Sequence, residues 1–284
     1  MKGLILNEIA QLLFSWKWWP LILIAFLIGW HNTEGIIVQA FNHRVDVNIW
    51  DAYLVAMNNW IDPGFLLMLA IAFATSDIVT KDYLTNYHWL VLSRKPNRLK
   101  WWSAKLFLVF AVTLVAIVAT LGFSILWGLI RGIPFSSSPS SFAMGITAVR
   151  GGFYQAFPPF PPLTPDTNVL GLVAGITLYS SLTFGVIMSL FILASLFFAK
   201  PFFIVGLVFF WSLLEFTLTQ YVLFWQRYLS LAARTFLMAH SPIINESVFN
   251  PLFHPPLWSS STVFIIIGIG TWLWGWRRIK QTDF

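Results

Sequence analysis

Long runs of apolar residues dominate the chain. Three of them, residues 106–130, 168–199 and 257–276, contain no Asp, Glu, Lys or Arg. A helix rises about 1.5 Å per residue and the hydrocarbon core of a bilayer is about 30 Å thick, so about 20 mostly apolar residues are needed for one crossing. A helix facing water could not sustain such a composition. The three runs therefore predict three transmembrane helices.

Three further runs have the same character but include ionisable residues. Residues 201–224 contain Glu215, residues 18–38 contain His31 and Glu34, and residues 60–79 contain Asp62 and Asp77. Only Lys200 separates the run 168–199 from the run 201–224, which predicts a tight helical hairpin. The sequence thus predicts an all-α, polytopic membrane protein that forms a single transmembrane domain over residues 1–284. Its six spans are expected at about 18–38, 60–79, 106–130, 168–196, 201–224 and 257–276.

The segment before the first span, residues 1–16, has a different pattern. One helical face carries apolar residues and the other carries Asn7, Glu8, Gln11 and Ser15. This amphipathic periodicity predicts a helix that lies in the membrane interface.

The positive charges give the expected orientation. With six spans, twelve of the seventeen Lys and Arg residues fall on one side of the membrane. Short loops rich in Lys and Arg tend to stay in the cytoplasm. We therefore expect both termini and the loop 80–105 to be cytoplasmic, and the loops 131–167 and 225–256 to be external, in a plasma membrane or a bacterial inner membrane.

Composition narrows the chemistry further. The chain is 58% hydrophobic and 10% charged, so membrane lipids are its expected surroundings. Its net charge of +6 comes from residues beside apolar runs, and we expect no nucleic-acid partner. Cysteine is absent, and the five histidines lack the spacing of a zinc site, so no metal site is expected.

Nucleotide chemistry on this chain is also unexpected. No Gly-Lys dipeptide occurs, which excludes a Gly-x4-Gly-Lys-Ser/Thr phosphate loop. The longest cytoplasmic connection has only about two dozen residues, too few for a catalytic domain. We expect no cofactor and no enzymatic activity on this chain, and any ATP hydrolysis on a partner chain.

The order of the predicted elements is an interfacial helix, two spans, a basic cytoplasmic loop, a span, a long external loop, a helical hairpin, an external loop, a last span and a basic tail. This order resembles the permease subunits of type-2 (exporter) ABC transporters. Their cytoplasmic loop typically has an acidic residue, Gly-Thr, two leucines, a proline, a basic residue and a lysine opening the third span. The corresponding residues here are Asp82, Leu84-Thr85, Leu90, Leu92, Pro96, Arg98 and Lys105, with Asp in place of Glu and Leu84 in place of Gly.

The resemblance implies a division of labour between chains. Asp82, Thr85, Arg94, Pro96 and Arg98 would belong to a coupling loop that docks on a separate cytoplasmic ABC ATPase subunit. A second permease chain, identical or related, would complete the translocation path. The basic residues of this loop are equally explained by membrane orientation and attraction to anionic lipids.

Glu215 is the acidic residue deepest in a predicted span, and charges in such positions are usually functional. It could contact a substrate or proton in the pathway, or it could be a structural partner for a neighbouring helix or extend outward to the membrane surface. The main alternative to a permease is a non-transporting structural or assembly subunit of a larger membrane complex. A membrane-embedded enzyme or ion-coupled carrier would need several ionisable residues around one site. The substrate stays open, although nearly uncharged spans favour an apolar or amphipathic cargo.

Overall fold

The computed structural model describes residues 10, 15–84, 98–145, 163–198, 200–221, 231, 234, 235, 237 and 256–281. Every helix or strand assigned in this part of the chain is a helix. A π-helical segment, Trp60–Leu67, stands between the second and third α-helices. The α-helices are α1 (Trp18–His43), α2 (Asp51–Asn58), α3 (Met68–Thr75), α4 (Asp77–Leu84), α5 (Arg98–Ile130), α6 (Ser141–Gly145), α7 (Val169–Ala194), α8 (Pro201–Tyr221) and α9 (Leu257–Gln281).

Five helical stretches in the described residues are long and apolar enough to cross a membrane. The all-helical, multi-pass architecture predicted from the sequence agrees with them. The sixth predicted crossing falls on α8, which has 21 residues, of which residues 201–215 form the apolar stretch. The count of six and the side on which the termini lie stay predictions. The five stretches are Trp18–Asn42, Ile61–Asp82, Arg98–Ile130, Val169–Ala194 and Leu257–Gln281.

The outer surface of these helices is apolar. Leu23 on α1, Leu182 on α7 and Ile266 on α9 are each more than half exposed. Monomeric soluble proteins rarely expose contiguous apolar areas of this kind, whereas lipid tails solvate them readily. The surface therefore fits a bilayer as the surrounding solvent.

Helix α5 lies at the centre of the bundle. It packs against α1 on one side and α7 on the other, α9 packs against both α5 and α7, and α8 packs against α3 and the π-helical segment. Gly29 permits the close approach of α1 and α5, because a Cβ atom at this position would lie 2.8 Å from the backbone nitrogen of Ser124. The α1–α5 contact is therefore backbone against backbone at this point.

Several boundaries differ from those expected. Helix α1 continues to His43, and α5 begins at Arg98, eight residues before the predicted start of the third span. Residues 80–84 and 98–105 of the predicted loop 80–105 are consequently helical. The predicted interfacial helix over residues 1–16, apart from Ala10 and the final Ser15 and Trp16, lies outside the described residues, as do Thr85, Arg94 and Pro96.

The segment 131–145, part of the loop predicted to be external, is more ordered than a Pro- and Ser-rich sequence suggests. It includes the short helix α6, and its backbone bonds to the α1–α2 connection. The amide of Ile49 donates to the carbonyl of Pro134 at 3.1 Å. The amide of Phe142 donates to the carbonyl of Asp46 at 2.9 Å. The two connections therefore form one layer, which we call the loop end of the bundle. The opposite end, where α1, α5 and α8 begin and α4 and α9 finish, is called the basic end.

Candidate functional site at the basic end

A buried ion pair joins α4 to α5. The ammonium Nζ of Lys105 lies 2.7 Å from Oδ2 of Asp82, and the two side chains are 0% and 6% exposed. The indole Nε1 of Trp101 donates to the same oxygen at 2.9 Å, and the ammonium lies 5.4 Å from the Trp101 ring centroid. Trp101 and Lys105 are four residues apart on α5 and so share one face of the helix.

This pair is demanding to form. Transfer of each ion out of water carries a penalty of several kcal/mol, which only good geometry and further hydrogen bonds offset. The indole hydrogen bond and the aromatic face supply part of that compensation. Asp82 and Lys105 thus hold the two helices together on either side of segment 85–97.

Arg98 links the start of α5 to the end of α9. Its guanidinium donates to the backbone carbonyls of Ile279 and Lys280 at 3.3 and 3.1 Å. The last carbonyls of a helix lack intrahelical partners and carry partial negative charge, so a cation is favourable there. The residue that directly follows segment 85–97 is therefore bonded to α9.

Two tryptophans strengthen the contact between α5 and α9. The indole of Trp102 donates to the carbonyl of Trp272 at 3.2 Å, and the indole of Trp272 donates to Ser103 Oγ at 3.0 Å. Gly275 lies directly beneath the Trp102 ring, where any Cβ would clash with it. The two indole hydrogen bonds and the close contact at Gly275 thus fix the position of α9 against α5.

The predicted coupling residues therefore have different outcomes. Asp82 and Arg98 lie at the two ends of segment 85–97, each bonded to a different partner. Thr85, Arg94 and Pro96 are outside the described residues. The sequence does not predict the roles of Lys105 and Trp101, because the resemblance assigns Lys105 only to the opening of the third span. The available signal was a lysine inside an apolar run, which needs an acidic partner.

Glu215 bonds to the backbone of the connection that follows α8. It is 5% exposed, and its Oε1 accepts a hydrogen bond from the amide of Leu231 at 3.3 Å. One turn earlier, Ser212 Oγ donates to the carbonyl of Gly64 in the π-helical segment at 3.1 Å. Glu215 thus bonds α8 to the connection that follows it, and Ser212 bonds α8 to the π-helical segment. A role of Glu215 in a pathway stays a prediction.

Asp62 is a second buried carboxylate, at the start of the apolar stretch Ile61–Asp82. It is 4% exposed, and its Oδ2 accepts from the amides of Asn32 at 2.8 Å and Asn59 at 3.2 Å. The next residue, Pro63, has no N–H group to donate, and the surrounding turns are π-helical. Such wide turns are frequent at functional sites.

Asp51 is a buried acid at the loop end. Its Oδ2 accepts from the backbone N–H of Asn48 at 2.8 Å and from Ser140 Oγ at 2.7 Å. Its Oδ1 has no hydrogen-bond partner among the described residues. Burial raises the pKa of Asp51 to about 6, and the two hydrogen bonds oppose this shift.

An apolar groove of about 650 Å³ runs between α5, α7 and α9. Phe107, Leu182 and Ile265 line it and are each more than half exposed, so the groove opens to the surface. Among the described residues that line it, the polar side chains are hydroxyl groups and a single indole. These residues offer space to an apolar molecule and no charged group to bind a polar one.

Comparison with protein-family models, curated proteins and solved structures finds no match for this chain. Among the described residues, no group of three His, Asp or Glu side chains could hold a metal ion.

Proposed function

We propose that the chain is the membrane-spanning permease subunit of an ATP-driven ABC exporter. It dimerises with itself or a related permease, and a separate cytoplasmic ABC ATPase subunit supplies the energy. Both termini and segment 85–97 face the cytoplasm in this proposal, and α8 is the fifth of six crossings.

The arrangement around segment 85–97 carries the proposal. A coupling element must transmit displacement to the helices around the pathway. Asp82, three positions before the segment, bonds to α5, and Arg98, which directly follows the segment, bonds to α9. Since α5 is the central helix, a force on the segment reaches α1 and α7 through direct packing.

The apolar groove between α5, α7 and α9 favours an apolar or amphipathic cargo. In a permease, the surface between α5, α7 and α9 would let an apolar or amphipathic molecule enter from the lipid. A binding site for a polar solute would instead place several polar groups towards one cavity.

Purification in mild detergent from the native host tests the proposal. A tagged chain should retain a stoichiometric ATP-binding chain, identified by mass spectrometry, with ATPase activity in the eluate. Arg94→Glu should reduce the retained ATPase, because it reverses a charge in the predicted docking segment. Lys280→Glu, the same charge reversal at an exposed position on α9, should retain it.

The main alternative function predicts a different eluate. A structural or assembly subunit would bring down other membrane chains and no ATPase. If repeated purifications contained only other membrane chains and no ATPase, the permease proposal would be ruled out.

A further inference from the structure

The loop end of the bundle has a small apolar core of its own. Ile36 of α1, Ala52 of α2, Ile133 and Phe142 form a cluster of buried residues that is separate from the main core, and each is at most 7% exposed. Parts of a protein with few buried apolar contacts can open while the rest stays folded. The loop end is therefore suited to open as a unit, by movement of segment 131–145 away from the α1–α2 connection.

Side chains of the α1–α2 connection hold segment 131–145 in place. The indole Nε1 of Trp50 donates to the carbonyl of Ser136 at 2.8 Å. The side-chain amide of Asn48 donates to the carbonyl of Ser138 at 3.0 Å. These bonds, together with the two backbone bonds of the same layer, must break when the segment moves away.

The carboxyl of Asp51 lies at the joint between the two parts. Asp51 is fully buried, and its Oδ2 accepts from the backbone N–H of Asn48 on one side and from Ser140 Oγ on the other, at 2.8 and 2.7 Å. Ser140 Oγ also accepts from the backbone N–H of Ala143 in α6 at 2.9 Å. The carboxyl thus links the α1–α2 connection to the turn that leads into α6.

The second oxygen of this carboxyl, Oδ1, is buried and has no hydrogen-bond partner among the described residues. In an ionised carboxylate this oxygen would carry negative charge away from water and without a donor, which is costly. A proton on Asp51 removes that charge while the loop end stays closed. Opening of the loop end removes the cost in a different way, because the ion then meets water.

Other ionisable side chains do not compensate a charge on Asp51. Helices α1, α5 and α7 and the π-helical segment pack against α2. Glu34 of α1 pairs with Arg131, and Arg44 and Asp46 of the connection are exposed. His31 of α1 and Asp62 of the π-helical segment interact with each other. The loop-end half of α7, residues 169–181, has no acidic, basic or histidine residue.

We propose that the loop end is a latch operated by a proton on Asp51. The protonated carboxyl keeps segment 131–145 closed on the α1–α2 connection, and loss of the proton lets the segment open. Burial raises the pKa of Asp51 from 3.8 to about 6 in the closed state, against the hydrogen bonds from Ser140 and Asn48. The closed state is therefore favoured most below pH 3.8, and this stabilisation is lost as pH rises to about 6. The latch can hold or fail whether or not the chain transports anything.

Hydrogen–deuterium exchange of the purified chain in detergent micelles, measured by mass spectrometry at about pH 4.5 and about pH 6.5, tests the latch. Division of each rate by the rate of the unfolded chain at the same pH gives an opening constant. Linkage predicts that this constant rises about twentyfold between the two pH values for residues 45–51 and 133–145. At both pH values these residues should exchange faster than α7, because the latch opens without unfolding the bundle.

Matched variants make the result specific. Asp51→Asn is neutral at both pH values and should have the same opening constant at each. Asp46→Asn removes an exposed carboxyl of the same layer and should keep the wild-type rise. Ser140→Ala removes a hydrogen bond that favours the ionised carboxyl, so the midpoint of the pH profile should move to higher pH. A purely structural role of Ser140 would instead change the opening constant equally at every pH.

Four results would overturn the proposal. They are a flat profile in the wild type, a rise that persists in Asp51→Asn, an unmoved midpoint in Ser140→Ala, and exchange at the loop end that is no faster than exchange in α7.

Discussion

The ion pair between Asp82 and Lys105 allows a stability prediction with a definite sign for each variant. Lys105→Met keeps a long apolar side chain but leaves the Asp82 carboxylate buried, with the Trp101 indole as its remaining donor among the contacts described above. Removal of one partner from a buried pair costs about 3–5 kcal/mol, because the other charge loses its compensation. We expect this loss in the free energy of unfolding for Lys105→Met.

The double variant D82N/K105M should be more stable than Lys105→Met alone. It removes both charges, and the Asn amide oxygen can still accept from Trp101. Replacement of a whole buried pair by neutral groups of similar volume is often close to neutral, so we expect the double variant within about 1 kcal/mol of the wild type. Lys100→Met, an exposed lysine of α5, should change stability by no more than about 0.5 kcal/mol.

Unfolding in mixed micelles, driven by increasing SDS and followed by far-ultraviolet circular dichroism, measures these differences. The comparison of single and double variants isolates the coupling between the two residues. The reasoning is refuted if Lys105→Met costs less than about 1 kcal/mol, or if the double variant is as unstable as the single one.

Three other predictions follow from local geometry. Gly29→Ala should destabilise the α1–α5 contact by about 1–3 kcal/mol through overpacking, whereas Gly35→Ala, whose Cβ meets nothing within 4 Å, should be neutral or slightly stabilising in the same SDS titration. Arg98→Gln should cost about 1–3 kcal/mol by removing charged hydrogen bonds to the end of α9, and Lys280→Gln should cost less than about 0.5 kcal/mol. The Asp51 carboxyl binds a proton more tightly in the folded state, so its contribution is fully present below pH 3.8 and is lost as pH rises to about 6. The wild type should lose about 3 kcal/mol over this range from Asp51, and Asp51→Asn should lack that part of the pH dependence.

The helices themselves could be predicted because the bilayer imposes a simple rule. Each crossing must satisfy its backbone hydrogen bonds internally and present apolar side chains to lipid, so length and composition identify it. The stretches Val169–Ala194 and Leu257–Gln281 follow directly from uncharged runs in the sequence. The same rule fails for α5, because a prediction that excludes charges from a span must start after Lys105.

The partners of the buried polar groups could not be predicted, since they depend on packing between distant segments. Asp82 and Lys105 are 23 positions apart, and Asn32 meets Asp62 across 30. From the local sequence alone, each of these aspartates lies near the end of a span, where exposure to water would be expected. Only the packing of α1 and α4 against their neighbours encloses these side chains.

Three buried aspartates in the described part of the chain differ in how their charge is accommodated, and this difference bears on where the bundle can move. Asp82 has a full opposite charge. Asp62 has two neutral amide donors and an electrostatic interaction with His31, and Asp51 has a raised pKa with one oxygen that has no hydrogen-bond partner among the described residues. Separation of α4 from α5 would pull apart two buried opposite charges, whereas separation at Asp62 would break two amide hydrogen bonds and an electrostatic interaction with His31. In the proposed permease, α4 and α5 should therefore move together when segment 85–97 is displaced, and the change in packing should be taken up around the π-helical segment. A cysteine cross-link between α4 and α5 should then leave ATPase coupling intact, while one between α1 and the π-helical segment should abolish it.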